Sequence, residues 1–137
     1  MSKLEQKMEQ AMDLHRQGFN CAQTVGMPFC EDLGLDPAFV MRAMEGFGAG
    51  MGGRVQTCGA LSGAIFIAGL AHSNGDLQAP TSKMDTYAVC DGLCQRFMEK
   101  CGSGICKDIK GLETGAPLLS CDDCIKLGIE LAIDALK

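Results

Sequence analysis

The stretch 46–71, GFGAGMGGRVQTCGALSGAIFIAGLA, decides the fold. Its first part holds Gly46, Gly48, Gly50, Gly52 and Gly53, five glycines in eight residues. Each adds backbone freedom that folding must remove, so this part reads as a loop and not as a helix interior or a strand. After Arg54 and Thr57, the run from Cys58 to Ala71 carries neither charge nor proline. Small residues recur in it at helical spacing (Gly59, Ala60, Gly63, Ala64, Ala68), with Leu61, Ile65, Phe66, Ile67 and Leu70 between them. A helix that is apolar all round is buried. At 14 residues the run is shorter than the roughly 20 a membrane span needs. It predicts a central core helix over 58–71, capped by Thr57, with the Cys58 sulfur near the unpaired amides of the first turn.

Working outward, residues 3–17 form an amphipathic pattern through Leu4, Met8, Ala11, Met12 and His15, which Gly18 can end. Asn20 with Gln23 three residues on is a capping-box pattern, so Cys21 takes the first position of a second helix. Pro28 should kink that helix or end it early, leaving Cys30 beyond the break on no clear face. Asp36-Pro37 predicts a third helix to about Glu45. Beyond the central helix, His72 to Asp76 reads as a turn. A longer helix from Ser82 to Lys100 follows, with Tyr87, Cys90, Cys94, Phe97 and Cys101 on one stripe that reads as core. Ser103 is expected to cap a short helix with Cys106 in its first turn, and 111–119 reads as a flexible connection. Ser120 caps the last helix, with Cys121 at its first position and Ile125, Ile129, Ala132 and Leu136 on its buried face. No strand pair is evident. The expected fold is all-α, one domain over 1–137: a bundle of about five to seven helices around helix 58–71.

A hydrophobic fraction of 47% and a charged fraction of 21% are those of a globular chain long enough to bury a core. The net charge of −5, with scattered basic residues, argues against a nucleic-acid face. Met1 to Gln17 is polar and lacks the apolar core of an export signal, so the cytoplasm is the expected compartment and no membrane is expected as a partner. Nine cysteines, an odd number, point in a reducing compartment to catalysis or metal binding, not to a disulfide scaffold. For any one of them the alternative is a small buried hydrophobe.

Four cysteines share a position. Cys21 follows Asn20, Cys58 follows Thr57, Cys121 follows Ser120, and Cys106 lies three residues after Ser103. The positive end of a helix favours an anion, so these thiols should ionise more readily than a free cysteine at about 8.5. Thiolates are both the nucleophilic and the metal-binding form. Arg54 reads either as a cation steadying a thiolate or an anionic substrate, or as a solvated loop residue. Neither His15 nor His72 reads as base or ligand. The closely spaced CxxC pairs of a zinc ribbon and the clustered spacing of ferredoxins are absent. Cys121-Asp-Asp-Cys124 is formally a CxxC, but no βαβ pattern accompanies it. The glycine run lacks the preceding strand and following lysine of a P-loop, which leaves a turn for close packing or a lid over Cys58.

These residues carry a resemblance over nearly the whole chain. Cys58-Gly59-Ala60-Leu61-Ser62-Gly63, Phe19-Asn20-Cys21-Ala22-Gln23 upstream, Gly102-Ser103 with Cys106 downstream, and then Cys121 resemble the redox-active family defined by a Cys, a CGAxxG motif and two further Cys. The resemblance implies a small helical protein with a redox role and no assigned substrate. Pro28 and five further cysteines, Cys30, Cys90, Cys94, Cys101 and Cys124, depart from that pattern.

The leading expectation is a thiol redox protein in which Cys58 attacks, aided by the helix start and Arg54, and Cys21, Cys106 or Cys121 resolves the adduct. Its partner would be a redox protein, a small thiol or another electron donor. The alternative is a protein whose Cys21, Cys58, Cys106 and Cys121 hold an iron–sulfur cluster or a soft metal ion. Exposed faces of short helices are compatible with a homodimer.

Overall fold

The computed structural model describes residues 1–137 as an all-α protein. Seven helices have five residues or more: α1 (Lys3–Arg16), α2 (Cys21–Gly26), α4 (Pro37–Glu45), α5 (Gly59–His72), α6 (Lys83–Cys101), α7 (Cys106–Lys110) and α8 (Cys121–Ala135). The single turn α3 (Cys30–Leu33) links two of them. No helix is long and apolar enough to cross a membrane.

The caps follow from the local sequence. Ser2 accepts from the Glu5 amide, Ser120 from Asp123, and Asp36 from Ala38 ahead of the proline that starts α4. Asn20 and Gln23 complete the reciprocal capping box of α2. Pro28 acts as expected: α2 stops at Gly26 and a tighter turn, Met27–Phe29, replaces its continuation.

Helix α5 is the axis of the core and packs against α2, α6 and α8. Its small residues set the spacing. A Cβ on Gly63 would stand 2.8 Å from the Val25 Cβ of α2, and one on Gly128 of α8 would stand 2.7 Å from the Ala60 carbonyl oxygen. Both approaches are closer than any side chain would permit, so backbone meets backbone on two sides of α5. The burial is not complete all round: Leu70 is exposed, and Ile65 and Phe66 are half-buried along a groove shared with Met44, Phe47 and Met51. On α6 the buried face is Leu93, Phe97 and Cys101, while Tyr87 is exposed and Cys90 and Cys94 are half-buried. The stripe expected from the sequence is therefore rotated by less than a turn. Lys7 is buried on α1, where its ammonium donates to the Pro28 carbonyl at 2.7 Å and meets Asp32 at 2.9 Å.

Candidate functional site

The glycine loop and the segment before α7 bring the cysteines together. Residues 56–58 run antiparallel to 104–106 for one bridge, Thr57 with Ile105. The Cys58 amide donates to the Gly104 carbonyl at 2.8 Å, and the Cys106 amide donates to the Gln56 carbonyl at 2.7 Å. Two cysteines distant in sequence are thus held by the same short clamp. The loop over them turns left-handed at Ala49, Gly50, Met51, Gly52 and Arg54. Gly50 is required there on two counts: its φ is 57°, and a Cβ would lie 2.5 Å from that of Cys106.

Thr57 does not cap α5. It is engaged in the bridge, and Cys58 itself is the residue that precedes the first helical position. No side-chain hydrogen bond caps this helix; the Cys58 sulfur faces the amides of Ala60 and Leu61, which favour its charged form. The thiol of Cys124, one turn into α8, stands within hydrogen-bonding reach of the same sulfur. Those contacts, the Cys124 thiol first, outweigh burial and bring the Cys58 pKa down to about 6, with Lys110 adding a smaller attraction. The converse holds for Cys124, whose own ionisation is strongly suppressed by its contact with Cys58 and then by burial.

Cys21, Cys58, Cys106 and Cys121 all line one cavity of about 190 Å³, together with Cys124, Lys110, His15 and Ala49. Within it the expectation of easily ionised thiols fails for Cys21 and Cys106. Burial raises the Cys21 and Cys106 thiols, and the nearby Cys58 and Cys121 sulfurs add to the rise in both. Ser103 caps no α-helix; its hydroxyl accepts from the Ile105 amide and donates to Asp108. Cys121 is exposed at the rim, where the Lys110 ammonium donates to its sulfur at 3.0 Å.

Arg54 is exposed and does not line the cavity. The ammonium that does is that of Lys110, which follows no motif and could not be singled out from the chain. Cys124 was visible only as half of a formal CxxC; its four-residue offset from the Ser120 cap was the signal that it turns inward.

The Cys58 sulfur is engaged by amides and by Cys124, and the Cys121 sulfur by Lys110. No group of three or more His, Cys, Asp or Glu side chains is placed to hold a metal ion.

The chain is 29% identical, over a 147-residue alignment covering all of it and 97% of the relative, to a protein of Archaeoglobus fulgidus described as uncharacterized. No solved structure matches it. The sequence model of one family matches residues 19–134, from just before α2 to the last turn of α8. The chain belongs to that family, described as putative redox-active protein (C_GCAxxG_C_C).

Proposed function

We propose that the protein is a thiol–disulfide oxidoreductase in which Cys58 is the attacking thiolate and Cys124 the thiol that resolves it. The observation that carries this is the Cys58 sulfur, ionised near 6 at the start of α5 with the Cys124 thiol beside it. Cys58 attacks one sulfur of a substrate disulfide, forming a mixed disulfide and expelling the first substrate thiolate. Forming that bond removes the negative charge that chiefly suppresses ionisation of Cys124. The Cys124 proton then passes to the expelled thiolate. Cys124 attacks the Cys58 sulfur, closes the Cys58–Cys124 disulfide and releases the second substrate thiolate, which takes its proton from water. The substrate gains two electrons and the dithiol loses two.

Cys21, Cys106 and Cys121, the resolving candidates from sequence, then serve as cavity wall and rim. The donor that restores the dithiol would be a small thiol or a redox partner protein in a reducing cytoplasm. The reading is tested by following reduction of a small aromatic disulfide by the pre-reduced protein and mapping the product. Wild type should release two thiols per Cys58–Cys124 disulfide formed, Cys124→Ser should stall as a mixed disulfide on Cys58, and Cys58→Ser should lose the fast phase. A fast phase that survives Cys58→Ser defeats the proposal. Iron and acid-labile sulfide in stoichiometric amounts on protein purified without oxygen would favour the cluster reading instead.

A further inference from the structure

The dithiol step leaves three buried sulfurs unused, those of Cys30, Cys101 and Cys106, and of these Cys101 is the one against Cys124. Cys101, the last residue of α6, is 5% exposed and shares the main core with Cys58 and Cys124, which are 7% and 3% exposed. It does not line the cavity. Its thiol stands within hydrogen-bonding reach of Cys124, as the Cys58 sulfur does. Cys124 is thus a sulfur with two sulfur neighbours, one in the cavity wall and one inside the core. Three helix ends produce this: the start of α5, the first turn of α8 and the end of α6.

Resting on the reading of Cys58 and Cys124 above, we propose that the oxidised protein passes its disulfide inward, from Cys58–Cys124 to Cys101–Cys124, and so returns Cys58 to the thiolate. Cys101, as its thiolate, attacks the Cys124 sulfur. The Cys101–Cys124 bond forms, the Cys58–Cys124 bond breaks, and Cys58 departs with the bonding pair. The Cys101 proton is released to water. No electrons enter or leave, so the oxidant is whatever disulfide was reduced in the first step.

Direction follows from the leaving group. Thiol–disulfide exchange expels the less basic thiolate faster, and Cys58 keeps the Ala60 and Leu61 amides and Lys110 to hold its charge once the bond breaks. Burial of Cys101 works the other way, since it raises that thiol and makes the attacking thiolate scarce. The inward step is therefore slow relative to closure of Cys58–Cys124. Because one proton is released, its equilibrium moves toward the inner disulfide with rising pH, by at most about tenfold per unit; with Cys124 tied up in the inner disulfide and no longer donating, Cys58 titrates roughly one to two units above its resting midpoint of about 6.

The experiment uses the full chain, reduced, then oxidised with one equivalent of a small disulfide and left to equilibrate at pH 6.5 or 8. Acid quenching, alkylation of the remaining thiols under denaturing conditions and mapping of the unreduced peptides by fragmentation give the pairings. Wild type should hold Cys101–Cys124 with Cys58 alkylated at pH 8, and its ratio of Cys58–Cys124 to Cys101–Cys124 should rise by roughly two- to eightfold at pH 6.5. Cys101→Ala should hold Cys58–Cys124 at both values; Cys101→Ser is the second variant should the alanine pack poorly. Equilibrated wild type with Cys58–Cys124 at both values and Cys101 alkylated overturns the inward step and leaves the two-cysteine reaction standing. Absence of Cys58 from any disulfide in wild type and in Cys101→Ala overturns the reaction on which it rests.

Discussion

Replacing Cys124 with alanine should move the titration of Cys58 more than any other single substitution in the cavity. Of the contacts that hold the Cys58 thiolate, the one with the Cys124 thiol is the largest. A hydrogen bond to a charged group contributes about 1.5–3 kcal/mol, and about 1.36 kcal/mol corresponds to one pKa unit. The midpoint, about 6 in wild type, should therefore rise by roughly one to two units in Cys124→Ala. Midpoint, and not rate at one pH, is the quantity to read: a more basic thiolate is also intrinsically more nucleophilic, which offsets part of its lower population. The assay is site-resolved alkylation, the label on Cys58 being followed by mass spectrometry across pH 4.5 to 10. Lys110→Met should raise the midpoint by less, and the shift should shrink at high salt, since a part-exposed ammonium is screened. Arg54→Ala should leave it in place. A wild-type midpoint near the ordinary 9.0, or one indifferent to Cys124→Ala, would refute the account of how Cys58 is ionised.

Stability should carry the same signature. A thiol whose folded pKa lies near 6 against an ordinary 9.0 contributes stabilisation that is full above 9 and is lost as pH falls toward 6; by linkage this amounts to at most about 4 kcal/mol. Urea unfolding under reducing conditions should show wild type gaining on Cys58→Ala between pH 6 and 9, and parallel curves would contradict it. On the packing side, Gly128→Ala forces a Cβ to 2.7 Å from the Ala60 carbonyl oxygen and 2.9 Å from Val25. The helices must separate, at about 1–3 kcal/mol, visible as a lowered urea midpoint. A gain in stability from the better helix former would show that α5 and α8 approach less closely than described.

Much of the fold was legible because its signals are local. Asn20 with Gln23, Asp36 before Pro37 and Ser120 with Asp123 state where helices begin, and each cap forms as its side chain dictates. The uncharged, glycine-studded run 58–71 could only be a core helix. Errors arose where tertiary contacts override local chemistry. Thr57 is a good capping residue, but the pairing with Ile105 claims it and hands the helix start to a sulfur. Their places at helix starts singled out Cys21, Cys58, Cys106 and Cys121, but neither that they would line one cavity nor that burial would override the helix end at Cys21 and Cys106 could be read there, because neighbours distant in sequence decide both. Lys110 and Cys124 belong to the cavity through the turn at 111–119 and the angle between α5 and α8, neither of which has a residue code.

The sulfur at the start of α5 has a consequence for how the protein can be observed. Enclosure of that helix by three others means that its interior amides exchange with solvent deuterium mainly through global opening. Ala60 and Leu61 differ, because the group they face is a sulfur that changes its charge with oxidation. While Cys58 is a thiolate these two amides have a strong acceptor; in a disulfide they face a nearly neutral one and lose protection. Deuterium uptake at two adjacent positions thereby becomes a native reporter of whether Cys58 is a thiolate or part of a disulfide, readable in the unmodified protein without a dye, a tag or a substrate.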